Sequence, residues 1–108
     1  MHQNKVALVT GANKGIGLAI ASQLAAQGLT VLVGARDAAR GEAAAQRIAG
    51  DARAWQLDVT RTDSIVAAFT RIQRELGRLD VLVNNAGIAT FGKPSTTRIE
   101  DVRAVFET

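Results

Sequence analysis

The stretch from Val6 to Gly17, V-A-L-V-T-G-A-N-K-G-I-G, constrains this chain more than any other. A β-branched, apolar run ends at Thr10 and passes into three glycines, Gly11, Gly15 and Gly17, and a helical pattern of apolar residues begins inside the last of them. That order predicts a strand, a tight turn and a helix start. Glycine tolerates positive φ and lets a backbone approach a ligand closely, while the free N–H groups at the positive end of a helix favour an anion. Such a loop suits a diphosphate.

Strand and helix patterns then alternate along the chain. Val6 to Thr10 is too short for a helix and apolar on both alternations, as a central parallel strand is. From Gly15 to Gln27 the apolar positions Ile16, Ala19, Ile20 and Leu24 fall three or four apart, and Gly28 stands where a helix-ending glycine belongs. Thr30 to Ala35 predicts the second strand, Ala39 to Ala49 a short Ala-rich helix closing on Gly50, and Ala52 to Leu57 a third strand that ends at Asp58. Gly41, in the first turn of that second helix, costs about 1 kcal/mol against Ala. Thr60 or Thr62 is suited to cap a third helix, in which Ile65, Phe69, Ile72 and Leu76 recur at helical spacing and Gly77 closes the run. Leu79 to Val83 predicts a fourth strand, with the turn Asn84-Asn85-Ala86-Gly87 at its end. A loop containing Lys93-Pro94-Ser95-Thr96-Thr97 follows, and Ile99, Val102, Val105 and Phe106 predict an amphipathic helix from Arg98 onward.

This alternation predicts an α/β fold, a Rossmann-like doubly wound parallel sheet with right-handed crossovers and strand order 3-2-1-4. In that order the first and fourth strands are neighbours, and their C-terminal ends flank the switch point at which such sheets bind ligands. The glycine loop and the Asn84 to Gly87 turn therefore meet at one crevice. Residues 1–108 form a single, partial nucleotide-binding domain on this reading. Its fourth strand is expected to have no neighbour on the outer side.

The glycine spacing is G-x-x-x-G-x-G, which differs from the more general dinucleotide fingerprint G-x-G-x-x-G. Taken with N-N-A-G at the end of a later strand, the run T-G-x-x-x-G-x-G resembles the short-chain dehydrogenase/reductase family, and within it the NADP-dependent carbonyl reductases, from about Lys5 to Thr108. The resemblance implies binding of NADP(H) and reversible hydride transfer with a small carbonyl or alcohol substrate. It implies cofactor contacts at Gly11, Asn13, Lys14, Gly15, Ile16 and Gly17 in the loop. It adds Arg36 and Arg40 beyond the second strand, Asp58 and Val59 beyond the third, and Asn85, Ala86 and Gly87 beyond the fourth. Asp58 would accept from the adenine amino group with Val59 beside the ring, although a turn or helix-leading Asp is the plainer account. Asn84 would tie neighbouring strands together, and Ile88 would pack close to the cofactor.

Cofactor choice turns on the tip of the second strand, Gly34-Ala35-Arg36-Asp37. Counting about 20 residues beyond the glycines lands on Asp37, which would accept from a ribose 2′-hydroxyl and indicate NAD. The resembling carbonyl reductases instead carry an Arg at the position of Arg36 and a Lys at that of Lys14, which clasp a 2′-phosphate. Two cations aimed at a doubly charged phosphate form charge-assisted hydrogen bonds of about 1.5–3 kcal/mol each, so electrostatics favours NADP. Arg40 joins them or is a solvated helix-face residue. Trp55 and Phe69 read as core.

The resemblance also implies a Tyr that acts as acid and base, a Lys that holds the ribose, a Ser that orients the substrate and a supporting Asn. The chain contains no Tyr, and none of these catalytic residues is assigned in it. The expectation is therefore the N-terminal, cofactor-binding part of a homo-oligomeric reductase. The alternatives are a non-catalytic NADP-binding or redox-sensing module and a half that works only with a second chain.

Composition narrows the partners further. The formal charge is +3 and the isoelectric point about 10.2, values that suggest a nucleic-acid binder. With no Cys, no Tyr and one His, however, almost nothing titrates between the carboxylates and the lysines, and a small excess of base moves the isoelectric point far up. Basic and acidic residues are interspersed, which argues against a nucleic-acid patch. His2 is lone and near a terminus, and reads as a surface residue. Absent cysteines leave no thiolate metal ligand, and metal binding is not expected. No apolar run approaches a membrane span of about 20 residues, and cytoplasm is the expected compartment.

Overall fold

The computed structural model describes residues 4–85 and 95–97. Its elements in chain order are β1 (Val6–Val9), α1 (Gly15–Ala26), β2 (Thr30–Ala35), α2 (Ala38–Gln46), β3 (Ala52–Gln56), α3 (Thr62–Glu75), β4 (Val81–Asn84) and β5 (Ser95–Thr97). They form one sheet in the order β3-β2-β1-β4-β5. The first four strands are parallel, so the order 3-2-1-4 read from the sequence is the observed one. β1 is central, with Val9 level with Val33 of β2 on one side and Val83 of β4 on the other.

Alternation along the strands sends different side chains to the two faces. Val9, Val31, Val33 and Val83 pack with Ala21 and Ala25 of α1 and Ala44 and Ala45 of α2. Val6, Leu8, Leu32 and Trp55 pack on the opposite side with Ala68 and Ile72 of α3. One face is therefore built of small and β-branched residues, the other of larger ones. The indole of Trp55 donates to the Ala68 carbonyl at 3.1 Å, and the Arg71 guanidinium lies 3.8 Å from the ring centroid. Both contacts tie α3 to the β3 edge, and Trp55 is core as expected. Phe69 is half-buried at the rim of the same cluster.

Several sequence expectations are corrected. The buried stripe of α1 is Gly17, Ala21 and Ala25, while Ile16 and Ala19 face outward and Ile20 and Leu24 are only partly covered. Hydrophobicity marked the longer side chains, but close approach of helix to sheet selects the smallest ones. Neither Thr60 nor Thr62 caps α3. Arg61 holds the N-cap position without a side-chain bond, Thr62 is already helical, and the Thr60 hydroxyl is engaged by Asp58 at 2.6 Å. The run Ser95–Thr97, read as loop, is a strand that pairs antiparallel with β4, opposite Asn84, Val83 and Leu82. The outer side of β4 thus has a partner, contrary to expectation. Ala86, Gly87, Ile88 and the helix expected from Arg98 lie outside the described residues.

Candidate functional site

Because β1, β2, β3 and β4 are parallel, the segments that follow them emerge at one edge of the sheet, and hydrogen bonds join those segments to one another. The Thr10 N–H donates to the Val83 carbonyl at 3.0 Å, and the Thr10 hydroxyl to Asn84 Oδ1 at 3.2 Å. Ala12 N–H reaches across to the Gly34 carbonyl at 2.9 Å. Asn85 Nδ2 donates to the Gly11 carbonyl at 3.1 Å. The glycine loop is held from β2 on one side and from β4 on the other. Asn84 does join two strands, in keeping with the sequence reading.

The three loop glycines have separate reasons. Gly15 has φ of +61°, a left-handed conformation, and open space where a Cβ would stand. Gly17 is helical, but a Cβ there would collide with the Gly11 carbonyl and come within 2.6 Å of Asn85 Nδ2 and 3.0 Å of Ala12 Cα. Only glycine lets α1 start this close beneath the loop. Gly11, also at φ of +61°, makes the turn out of β1.

At the start of α1 the first N–H groups have no partner within the helix. Lys14, at the N-cap with φ of −161°, gives no side-chain cap to them. Lys14, Gly15 and Ile16 are exposed, Ile16 at 64%, and Asn13 is half-buried. The exposed start of a helix, free of an internal anion, is suited to an external one.

Lys14 opens α1, Arg36 follows β2, and Arg40 sits in the first turn of α2. Among the described residues, Lys14, Arg36 and Arg40 are exposed and make no ion pair, as are Lys5 and Arg47 elsewhere in the chain, whereas Arg53, Arg61, Arg71, Arg74 and Arg78 each pair with a carboxylate. Asp37 is drawn the other way. It is the N-cap of α2, and its Oδ1 accepts from the Arg40 N–H at 3.1 Å.

Asp58 stands at the end of β3. Its Oδ1 accepts from the Thr60 hydroxyl and, at 2.9 Å, from the Thr60 N–H, and its own N–H donates to Ser64 Oγ at 2.8 Å. The Thr60 hydroxyl, then the Thr60 N–H, hold the Asp58 carboxyl below its usual 3.8 against the effect of desolvation, and the charges of Arg36 and Arg61 act in the same direction. Arg36 and Asp58 therefore share one electrostatic neighbourhood. Val59 is half-buried at the rim of the α3-side core. No contact joins Lys14 to Arg36 among the described residues, and Ala86 and Gly87 fall outside them.

Sequence reasoning missed three supporting residues. A Cβ on Gly34 would come within 2.8 Å of the Val9 carbonyl and 3.2 Å of Thr10 Cα, so this strand glycine lets the loop pass close over β2. A lone glycine inside a strand pattern is the signal that pointed there. Ser64 fixes the backbone at Asp58, and Gln56 Nε2 donates to the Arg36 carbonyl at 3.3 Å. Neither carries a pattern that singles it out in sequence. No group of three His, Asp or Glu that would hold a metal occurs among the described residues, and no helix among them is long and apolar enough to cross a membrane.

Comparison with known proteins agrees with this geometry. Residues 5–108 match the family described as short chain dehydrogenase. The chain is 53% identical over 89 residues to carbonyl reductase 1 (NADPH) of Pongo abelii, covering 78% of this chain and 32% of that protein. Among solved structures, menthone neomenthol reductase from Mentha piperita superposes with a TM-score of 0.75 at 41% identity, over 81% of this chain and 33% of that one. A metagenomic short-chain oxidoreductase in complex with NADP gives a TM-score of 0.73 at 42% identity, over 78% of this chain and 39% of that one. The chain spans between 32% and 42% of the length of the curated relatives it matches first.

Proposed function

The chain belongs to the short-chain dehydrogenase family of oxidoreductases, and from that premise we propose that it is the cofactor-binding portion of an NADP-dependent reductase acting between a carbonyl and an alcohol. Residues 1–108 are on this reading one partial nucleotide-binding domain of a cytoplasmic, homo-oligomeric protein. The absence of cysteine supports the reducing compartment. The family uses a nicotinamide cofactor, and the chemistry such a cofactor supplies is hydride transfer to or from the substrate carbon.

The residues present fit that cofactor. Gly11, Asn13, Gly15, Ile16 and Gly17 place backbone at the diphosphate, with the first turn of α1 supplying N–H groups and the positive end of the helix. The space kept open beside Gly15 is space a ligand can approach, while Gly17 lets the loop and Asn85 close over the start of α1. Asp58, with its carboxyl held ionised and one oxygen already engaged, accepts from the adenine amino group, with Val59 at the ring. On the same reading Asn85 stands at the ribose side, with Ala86 and Gly87 following it in sequence.

The observation that carries the choice of NADP is the charge distribution at the tip of β2. Lys14 and Arg36 are exposed and without an ion partner, while the neighbouring Asp37 is committed to capping α2. Arg40 follows one turn into α2 and supplements them. For the 108 residues by themselves, the lack of any Tyr favours a second reading, a nucleotide-binding module without turnover of its own.

The test is equilibrium binding of NADPH and NADH to the wild-type chain and to Arg36→Asp. Wild type is expected to hold NADPH at least about tenfold more tightly, a difference of about 1.4 kcal/mol. Arg36→Asp should abolish that preference by weakening NADPH and leaving NADH within about threefold. Equal wild-type affinities at low salt would overturn the assignment.

A further inference from the structure

Resting on that reading, we propose that Asp37 is the positioning residue for 2′-phosphate selectivity: by capping α2 it withdraws its own carboxylate from the phosphate and locks the backbone from which Arg36 projects. An acidic side chain immediately after the phosphate-binding Arg is at first sight adverse, since a carboxylate beside a 2′-phosphate repels it. The geometry resolves the conflict. Oδ1 of Asp37 is held by the Arg40 N–H at 3.1 Å, and the Asp37 carbonyl accepts from the Gly41 N–H at 3.0 Å. The carboxylate thus faces the positive end of α2, where the helix dipole offsets much of its charge.

The same corner is fixed from the other side. The Ala35 carbonyl accepts from Leu57 N–H at 2.9 Å, and the Arg36 carbonyl from Gln56 Nε2 at 3.3 Å. The residue before Arg36 is pinned to β3 and its own carbonyl is held by a β3 side chain. The residue after it begins a helix whose first turn rests on β2, with Gly41 leaving only 3.2 Å between a would-be Cβ and Ala35 Cβ. Arg36 is therefore an exposed side chain on a backbone held at both ends. Preorganisation of this kind raises affinity by reducing the ordering required on binding.

Two roles of Asp37, cap and charge, separate by substitution. Asn caps a helix as well as Asp and carries no charge, Ala does neither, and Gly removes the side chain at little cost to the helix. The probes are adenosine 2′,5′-bisphosphate and adenosine 5′-monophosphate, titrated against the full 108-residue chain by calorimetry. Wild type should prefer the 2′-phosphate ligand at least about tenfold. Asp37→Asn should keep that preference within twofold or raise it. Asp37→Ala and Asp37→Gly should both lose fivefold or more for the 2′-phosphate ligand, with the monophosphate unchanged within twofold, and Asp37→Gly guards against a general loss of fold in the Ala variant. Ala and Gly variants that keep the wild-type preference, or that gain affinity for the 2′-phosphate alongside Asn, would overturn the cap role while leaving NADP binding standing. A wild-type chain without preference would overturn the underlying assignment, and this inference with it.

Discussion

At the scale of single residues, the decisive position is Gly17. Its role is not conformational freedom but proximity, because a methyl group there meets a carbonyl, an amide nitrogen and an α-carbon at once. Gly17→Ala should destabilise the fold by about 1–3 kcal/mol through overpacking and should break the bond from Asn85 to Gly11. NADPH titration is then expected to show a loss of at least about 100-fold, nearly 3 kcal/mol, and a variant that binds as wild type would refute the close-approach argument. At the opposite edge of the sheet, Asp80 closes the start of β1 onto β4. Its Oδ2 accepts from the Val6 N–H at 2.8 Å and from Arg78 Nε at 2.8 Å, and the Asp80 N–H returns a bond to the Val6 carbonyl at 2.8 Å. The Arg78 guanidinium first, then the Val6 N–H, hold the Asp80 carboxyl below its usual 3.8 despite desolvation. A carboxyl depressed in the folded state binds fewer protons there than in the unfolded chain, so its contribution is present above about pH 4 and is lost as pH falls through the folded value. Asp80→Asn should cost about 1 kcal/mol at pH 7, given solvent screening of a partly exposed pair, and flatten the acid limb of urea-denaturation stability measured from pH 6 to pH 3. An acid limb unchanged by the substitution would count against this account.

Elements show where sequence was legible and where it was not. β2 was readable to its ends because Thr30 to Ala35 is a short apolar run bounded by Gly28 and a charged pair, and every residue in it is buried. α3 was readable because its apolar residues keep one period while polar ones fill the other face. α1 was readable as a helix but not in its orientation, since Gly17, Ala21 and Ala25 carry little hydrophobic signal while being the residues nearest the sheet. β5 was illegible for a different reason: three hydroxyl residues after a proline match loop chemistry as well as strand chemistry, and only the open edge of β4 decides between them. In the proposed site, the glycines announced themselves by spacing and Arg36 and Asp58 by resemblance to the family, whereas Gln56 and Ser64 act through single long-range bonds that no local pattern encodes. α3 is joined to the β3 edge by the contacts of Trp55. Trp55→Phe removes the indole donor to Ala68 and the better cation-binding ring beneath Arg71, and should lower stability by about 1–3 kcal/mol. Thermal unfolding at a midpoint equal to wild type would show that α3 is held by its aliphatic stripe alone.

For the whole molecule, the glycine loop, the tip of β2 and the end of β3 lie along one edge of the sheet, the proposed nucleotide site, while the sequence has no phenol to deliver a proton to a carbonyl. The purified 108-residue chain is therefore expected to bind NADPH, seen as a rise in melting temperature, yet to reduce a reactive dicarbonyl no faster than free NADPH does. Turnover above that background would require a proton donor other than Tyr and would change the proposed division of labour. The unequal faces of the sheet bear on how this edge is assembled. On the side of α1 and α2 the buried residues are mostly Ala and Val, with few or no rotamers to surrender on folding, and Leu18, Ile20 and Leu24 only partly covered, whereas the side of α3 buries Leu8, Leu32, Ile72 and Trp55. The start of α1 thus meets the sheet through its smallest residues, Gly17, Ala21 and Ala25, and its closest approach asks little side-chain freedom to be given up on folding.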